Sequence, residues 1–290
     1  MGHWVAQCIS VACELRIPDL LADKPRTADE LASACGADPG AMLRLLRALV
    51  SLGVLGQDEG GRFESTPLSE QFRQDVPGFG PNARFITGPE VYRSWGELLA
   101  AVRSGGTAFE DVFGVPFFDY FVEHPEVGRT FNQAMTASSR TVAEEVVDAY
   151  DFSRVRTIVD VGGGQGFLLT AILRRYPGAK GMLFDLPQVI EQAKGVLEEA
   201  SVADRCELVS GSFFELVPGG GDVYVLKSII HDWDDEPARR ILQNCGKQMA
   251  PDGRVLVVDR VIPERLEPSF VNQRGTLMDL NMLVLISGRE

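Results

Sequence analysis

The spacing of apolar residues divides the chain into two parts that fold in different ways. Up to about residue 150, apolar residues recur at helical spacing and runs of β-branched residues are few, a pattern typical of amphipathic helices. One apolar helix face consists of Leu43, Leu46, Ala48, Leu49 and Val50, and Gly53 ends that helix. A second helix is predicted over Thr27 to Cys35, because Thr27 and Glu30 have the spacing of a capping box.

A hairpin is predicted directly after these helices. The segment VLGQDEGGRFEST places two short strand-like pieces around Asp58-Glu59-Gly60-Gly61, a sequence that favours a tight turn. Helix, turn, helix and hairpin in this order make the plan of a winged helix, which we assign to residues 1–78. Residues 79–150 are typical of further helix, rich in Phe, Met and Trp, and we expect this helical linker to contribute to a binding pocket.

From Arg156 onward, apolar strands alternate with helices. The five strand candidates are TIVDVG, KGMLFD, CELVS, VYVLK and RVLVVD, and helices are predicted at Phe167 to Tyr176 and at Gln188 to Ala200. This alternation favours a parallel, doubly wound sheet that is covered by helices on both faces. We therefore predict an α/β protein with a Rossmann-like domain over residues 151–290 and a mainly helical N-terminal domain.

Composition narrows the class of protein. The chain has 290 residues, of which 45% are hydrophobic and 24% charged, as in globular proteins of about two domains. Its 28 basic and 41 acidic side chains give a net charge of −13, which disfavours nucleic acid as a partner. The five cysteines are scattered without a CxxC pair, and the chain has neither a basic leader nor an apolar run that would span a bilayer. We therefore expect a cytoplasmic protein with no membrane partner.

A glycine-rich turn follows the first predicted strand of the sheet. Residues 159–166 are VDVGGGQG, and Phe167 stands where the dinucleotide fingerprint GxGxxG needs its third glycine. Glycines at a strand-to-helix turn let a ligand approach the backbone closely. Asp185 ends the next strand, where a carboxylate can accept both hydroxyls of a ribose, and Asp160 adds negative charge beside the turn. The pattern favours an adenosine whose charged tail is not a pyrophosphate.

Several segments together resemble one enzyme family. VDVGGGQG, FDLP, LKSIIHDWDDEPARRILQNC, VLVVDR, FNQAMTASSR and the winged helix are similar to the caffeic-acid-type small-molecule O-methyltransferases, above all to the bacterial branch that modifies aromatic antibiotics. The resemblance covers nearly the whole chain and implies S-adenosylmethionine as the cofactor, with no metal. It implies cofactor contacts from Asp160, Gly162, Gly164, Asp185, Leu186, Ser212, Phe213 and Lys227.

The resemblance also implies a catalytic base. Val223 to Ile230 is predicted as one strand, and His231 and Asp232 follow it at the edge where a parallel sheet carries its functional loops. A phenol has a pKa of about 10, so a nearby histidine assists its ionisation at neutral pH. By resemblance His231 is that base, and Asp259 and Glu290 match the two acids that flank it. His231 could instead be an ordinary packed histidine, and Glu290 an ordinary charge at a disordered terminus.

The chain departs from the family pattern in three places. Asp259 is one methylene shorter than the glutamate of plant relatives, and Ser212 stands where the family usually has an aspartate near the adenine. Relatives also begin one helix earlier and continue past the final GRE, so we expect residues 151–290 to lack the C-terminal end of the domain.

The acids after His231 have the composition of a metal site, but their position before Pro237 is typical of a helix N-cap.

Methionine and aromatic side chains supply candidates for the pocket of the methyl acceptor. Such side chains give an adaptable, polarisable wall for a flat aromatic ring, although at helical spacing they are equally typical of an ordinary core. With the resemblance, the candidates are Phe118, Asn132, Met135, Asp232, Met278 and Met282.

Together with these residues, the resemblance implies methyl transfer to a phenolic or enolic hydroxyl of an aromatic polyketide-like secondary metabolite, by in-line displacement with His231 as the general base. One alternative is an enzyme that uses the same cofactor for hydroxylation or decarboxylation. A nicotinamide-dependent enzyme is disfavoured by Phe167. The remaining alternative is a DNA-binding regulator, because many such regulators also contain a winged helix.

The resemblance implies that the winged helix forms a homodimer, and its charge predicts that it does not bind DNA. Residues 26–75 carry more acidic than basic side chains, and the would-be recognition helix, Pro39 to Ser51, offers only Arg44 and Arg47. Binding to a phosphate backbone requires a basic face. An electrophoretic shift assay with duplex DNA at low salt, where non-specific binding is strongest, should therefore show no complex. A tight complex that dissociates as salt is added would restore the regulator hypothesis.

Overall fold

The computed structural model describes residues 1–74 and 78–289, apart from the side chain of Thr141. The chain forms two compact units. The first consists of Met1–Tyr92 and Glu126–Ala137, and the second of Arg93–Pro125 and Ser138–Glu290. The domain boundaries that we placed after residues 78 and 150 stay a prediction.

The first unit is mainly helical. Its helices are α1 (Gly2–Glu14), α2 (Ile17–Leu20), α3 (Ala28–Cys35), α4 (Pro39–Ser51), α5 (Pro67–Glu70) and α6 (Gly80–Ile86). Between α4 and α5, strands β1 (Gly56–Gln57) and β2 (Phe63–Glu64) pair antiparallel. The predicted order of helix, turn, helix and hairpin is therefore confirmed.

The capping box at the start of α3 forms as its spacing predicts. The backbone N–H of Glu30 donates to the Oγ1 of Thr27 at 3.2 Å, and the N–H of Thr27 donates to the Oε2 of Glu30 at 2.7 Å. Behind this cap, Leu31 of α3 packs with Leu46 of α4 and Phe63 of β2 in a core that excludes water. Burial of these side chains holds the hairpin against the helix pair.

Five helices follow in the chain: α7 (Pro89–Gly96), α8 (Leu98–Ser104), α9 (Ala108–Phe113), α10 (Phe117–Glu123) and α11 (Pro125–Ala149). In the second unit, α9 and α10 meet through an aromatic cluster. The fully buried ring of Phe109 lies 5.1 Å from that of Phe117 and 5.4 Å from that of Tyr120, both edge to face. Among the residues that the structure describes, none of the helices is both long and apolar enough to cross a membrane.

The second unit contains the predicted parallel sheet. Its elements are β3 (Thr157–Val161), α12 (Phe167–Arg175), β4 (Lys180–Asp185), α13 (Pro187–Glu199), β5 (Cys206–Ser210), β6 (Val223–Lys227), α14 (Asp235–Gln248), β7 (Arg254–Val258) and α15 (Phe270–Leu285). The five strands are parallel in the order β5-β4-β3-β6-β7. The strand order reverses between β3 and β6, and ligands of open α/β sheets bind at such a switch point.

Both faces of this sheet are buried, as the apolar strands predict. In β6, Val223 and Val225 belong to one core and Tyr224 and Leu226 to another, with α14 contributing to the second. Successive side chains of a strand point to opposite faces, so the two cores lie on the two sides of the sheet. The doubly wound architecture is therefore confirmed.

One strand is shorter than its sequence predicts. We predicted a strand from Val223 to Ile230, but β6 ends at Lys227, so this boundary was wrong. Ser228 has a φ of 55°, in the left-handed region that takes the backbone out of a strand. A single turn of 3-10 helix, Ile230–Asp232, follows. The predicted functional residues at this point therefore lie on a tight turn beyond the sheet.

The capping box provides a test of local stability. Replacing Thr27 with alanine removes the acceptor for an otherwise unsatisfied helix N–H, so Thr27→Ala should lower the free energy of unfolding by about 1 kcal/mol. Thr107→Ala is the matched control, because Thr107 precedes α9 without a side-chain capping hydrogen bond. Urea denaturation should shift its midpoint for Thr27→Ala and much less for Thr107→Ala. Equal shifts would show that the cap does not contribute to stability.

Candidate active site

The glycine-rich turn after β3 has the tight geometry that its sequence predicts. Gly162 and Gly164 have φ angles of 68° and 60°, which residues with a Cβ atom rarely adopt. A Cβ on Gly162 would overlap the side chain of Ile229, and one on Gly163 would lie 2.5 Å from the carboxyl carbon of Asp160. The turn is therefore packed directly against the residues that precede and follow it in the site.

Asp185, at the end of β4, is fixed to this turn. Its Oδ2 accepts a hydrogen bond from the N–H of Gly164 at 2.8 Å, and its Oδ1 accepts one from the N–H of Leu186 at 2.7 Å. Burial raises the pKa of Asp185, although the two backbone donors act in the opposite direction. Leu186 itself is 43% exposed. Asp185 thus joins the ends of two neighbouring strands through the turn.

Asp160 is the most deeply buried charged residue of the site, at 2% exposure. Its Oδ2 has no hydrogen-bond partner among residues 1–74 and 78–289. Burial raises the pKa of Asp160 from 3.8 to about 7, an effect that the ammonium of Lys227 opposes and the carboxylate of Asp185 increases. A buried carboxylate in this state favours a nearby cation, which would stabilise its ionised form.

Lys227, the last residue of β6, lies among carboxylates. Its Nζ donates to the Oγ of Ser228 at 3.2 Å. Burial lowers the pKa of Lys227, and the charges of Asp160, Asp259 and Asp232 counteract that effect. The ammonium therefore links the carboxylate beside the glycine turn with the two carboxylates near His231.

His231 lies on the 3-10 turn after β6, with 15% of its side chain exposed. Its Nε2 is 3.3 Å from the Oδ1 of Asp232, and its Nδ1 is 4.0 Å from the Oδ1 of Asp259. Asp232, which we predicted for acceptor binding, is thus the nearer of these two carboxylates. The distance to Asp259 exceeds that of a direct hydrogen bond, in line with its short side chain. Within the described residues, no group of His, Cys, Asp and Glu is arranged to hold a metal ion.

Trp233 contacts both Phe118 and Phe213, a role that its sequence left open between pocket and core. Phe118 stacks on its indole at 5.7 Å between centroids, and the interplanar angle is 28°. Phe213 and Phe214 meet the indole edge to face at 6.0 and 4.7 Å. One aromatic wall therefore contains both Phe118, an acceptor candidate, and Phe213, a cofactor candidate.

The other predicted residues are placed as follows. The hydroxyl of Ser212 accepts a hydrogen bond from the N–H of Phe214 at 3.3 Å, and so orders the start of that loop. Met282 of α15 is buried, and Met278, one turn earlier, is partly buried. Asn132 and Met135 lie on the part of α11 that belongs to the first unit. Glu290 lies outside the described residues.

Comparison with known proteins identifies the family. Residues 95–290 match the sequence profile of the O-methyltransferase domain, and residues 1–75 match that of the O-methyltransferase dimerisation domain. The chain belongs to this O-methyltransferase family. Its first unit therefore contains a dimerisation domain, which replaces the DNA-binding interpretation of the winged helix.

Three relatives show the range of the family. A phenazine O-methyltransferase of Lysobacter antibioticus is 45% identical, with 100% of this chain and 84% of that protein covered. A phenazine-1-carboxylate N-methyltransferase of Pseudomonas aeruginosa is 35% identical, with coverage of 100% and 84%. The crystal structure of an O-methyltransferase from neocarzinostatin biosynthesis, with S-adenosylmethionine and 2-hydroxy-5-methyl naphthoic acid, has a TM-score of 0.82, 32% identity and coverage of 99% and 86%.

The cofactor of this methyltransferase is S-adenosylmethionine, and the residues present fit it. The turn around Gly162 and Gly164 leaves no Cβ in the way of a close ligand, and Asp185 ends the next strand beside it. The Oδ2 of Asp160 lacks a hydrogen-bond partner among the described residues, which suits the ammonium or sulfonium group of this cofactor. The carboxylates of Asp160 and Asp185 and the open glycine turn thus fit a nucleoside that carries a cationic tail.

The raised pKa of Asp160 predicts a pH dependence of stability. Between about pH 4 and 7, folded Asp160 keeps a proton that the unfolded chain releases, so the free energy of unfolding falls as pH rises. One group contributes at most about 1.4 kcal/mol per pH unit. Asp160→Asn removes this titration and should flatten the slope, measured by urea unfolding of the cofactor-free protein.

Asp151→Asn is the control for this experiment. Hydrogen bonds from the backbone N–H and the hydroxyl of Ser153 lower the pKa of the exposed Asp151. The contribution of Asp151 to the free energy of unfolding is therefore constant above the ordinary pKa of an aspartate. Between about pH 4 and 7, Asp151→Asn should retain the wild-type slope of stability against pH. An unchanged slope in Asp160→Asn would contradict the assignment.

Proposed function

We propose that the protein methylates a phenolic or enolic hydroxyl of an aromatic polyketide-like secondary metabolite, with His231 as the general base. The observation that carries this proposal is the position of His231 at the carboxyl edge of the sheet, 3.3 Å from Asp232 and 4.0 Å from Asp259. When bound, S-adenosylmethionine supplies an activated methyl group on a sulfonium. The remaining task of the protein is to bring a nucleophilic oxygen into line with that methyl group.

Proton transfer is the contribution of His231. Its imidazole accepts the hydroxyl proton as the oxygen attacks, so that the nucleophile becomes anionic without a free phenolate at neutral pH. The carboxylates of Asp232 and Asp259 stabilise the imidazolium that forms.

Orientation of the acceptor is the contribution of the aromatic wall. Phe118 and Trp233 stack with their faces nearly parallel, and stacked rings favour a flat ligand beside them. Phe213 meets the same indole from the side that we assign to the cofactor. In this proposal, acceptor and cofactor would both lie against one rigid element, and such positioning lowers the barrier by several kcal/mol. The names of the relatives support phenazine and naphthoate rings as acceptor types.

The cofactor-binding residues are proposed from the same geometry. Asp185 would bind the ribose hydroxyls, and Asp160 and the turn at Gly162 and Gly164 would bind the amino-acid end. Lys227 would balance the carboxylates on both sides. We place the reaction in the cytoplasm, because the five cysteines are all free thiols, as in proteins of a reducing compartment.

The test of the base is the variant His231→Ala. We expect kcat to fall roughly 10²- to 10⁴-fold, the usual contribution of general-base catalysis, with a hydroxyphenazine or a dihydroxynaphthoate as the acceptor. Binding of S-adenosylhomocysteine, measured by calorimetry, should remain as in the wild type, because His231 acts on the acceptor. His3→Ala is the control, since His3 is an exposed histidine of α1.

Three outcomes would contradict parts of the proposal. Full turnover by His231→Ala would show that proximity alone suffices. A product that lacks the added mass of one CH2 group would indicate hydroxylation or decarboxylation with the same cofactor. Methylation of a nitrogen in preference to a hydroxyl would change the acceptor class, and the name of the Pseudomonas relative is that of an N-methyltransferase.

A further inference from the structure

Gly288 lies directly against the backbone of the turn that carries His231. A Cβ atom built on Gly288 would overlap the carbonyl oxygen of His231 and would lie 2.5 Å from the carbonyl carbon of Asp232 and 2.8 Å from its Cα. Real Cβ atoms essentially never approach a backbone so closely. Because the neighbouring atoms belong to the main chain, no rotation of a side chain relieves this contact.

The glycine-rich turn also packs against the residue that directly precedes this turn. A Cβ on Gly162 would overlap the side chain of Ile229, which is 9% exposed and lies two residues before His231. Within the turn, the N–H of Asp232 donates to the carbonyl of Ile229 at 3.2 Å. The turn thus has one glycine on the cofactor side and another, Gly288, on the side of the segment after α15.

The segment after α15 is itself held in place. Leu285 and Ile286 are buried, and the N–H of Ile286 donates to the carbonyl of Met282 at 2.8 Å. Beyond Gly288, the guanidinium of Arg289 pairs with the carboxylate of Asp235, the first residue of α14. Gly288 therefore meets the turn as part of an anchored segment.

We propose that Gly288 is a positioning residue for His231: its missing side chain lets the segment after α15 press the turn into the place where the imidazole faces Asp232 and Asp259. This proposal rests on the proposed role of His231 as the base. It assigns to Gly288 no contact with acceptor or cofactor. The physical basis is the close approach of two backbones, which any Cβ atom would prevent.

The consequence of a Cβ at this point is a displaced imidazole. Either the turn or the segment must move by a large part of an ångström to accommodate it. The 3.3 Å separation between the Nε2 of His231 and the Oδ1 of Asp232 would change with either movement. A displacement of about 1 Å can cost roughly 100-fold in rate.

The experiment measures the His231 imidazole directly in Gly288→Ala. The chain has only three histidines, His3, His124 and His231, so nitrogen-15 NMR resolves their rings, and His231→Gln identifies the signals of His231. We expect the tautomer balance and the titration midpoint of His231 to change, while those of His3 and His124 remain. Gly246→Ala is the matched control, because a Cβ on Gly246 of α14 meets open space.

Kinetics supply the second measurement. With a hydroxyphenazine as acceptor, Gly288→Ala should lower kcat roughly 10- to 100-fold and shift its pH profile, while KM for S-adenosylmethionine and binding of S-adenosylhomocysteine stay near wild type. If Gly288→Ala does not fold, Ile286→Val serves instead. It loosens the same segment without a clash and should shift the His231 signals in smaller measure.

Each outcome decides the proposal. Unchanged His231 signals in a folded Gly288→Ala or in Ile286→Val would overturn it, as would equal losses in Gly246→Ala. A lower kcat without any change at His231 would also overturn it. If His231→Ala keeps full turnover, the assignment of the base fails, yet the NMR measurement still reports whether Gly288 positions the imidazole.

Discussion

The pairing of β3 with β6 is the constraint on which the site depends. Asp160 lies opposite Val225 in the register of these strands, so the carboxyl ends of β3 and β6 meet at one edge of the sheet. The glycine-rich turn follows β3 at this edge, and the turn that carries His231 begins three residues after Lys227, the last residue of β6. Strands that are not neighbours in sequence thus bring the cofactor residues and the base together, while the two apolar cores keep the pairing in place.

Local signals in the sequence account for most of the fold. Apolar runs predicted the five strands, and the capping box at Thr27 and the hairpin around Asp58 predicted the winged helix, because each signal depends on a few adjacent residues. The end of β6 was not predictable in this way. The apolar run continues through Ile229 and Ile230, and a serine in the left-handed region has no mark in the sequence.

The candidate site was predictable in its residue types and less so in its contacts. Asp185 and Lys227 end strands, Asp160 is the second-last residue of β3, and strand ends follow from the pattern of the sheet. The nearer approach of Asp232 than of Asp259 to His231 depends on the shape of one turn, which only the folded chain determines. The limit is clearest at Gly288, because the backbone atoms that it contacts belong to His231 and Asp232, more than fifty positions away in the chain.

Ser228 combines two functions that neither glycine nor alanine would keep together. Its left-handed backbone costs about 1 kcal/mol or more for a residue with a Cβ atom, and its hydroxyl accepts from the ammonium of Lys227. Glycine at this position would relax the backbone and lose the acceptor, whereas alanine would keep the strain and lose the acceptor as well. The sharp departure of the chain from the sheet and the placement of the ammonium of Lys227 therefore depend on the same residue.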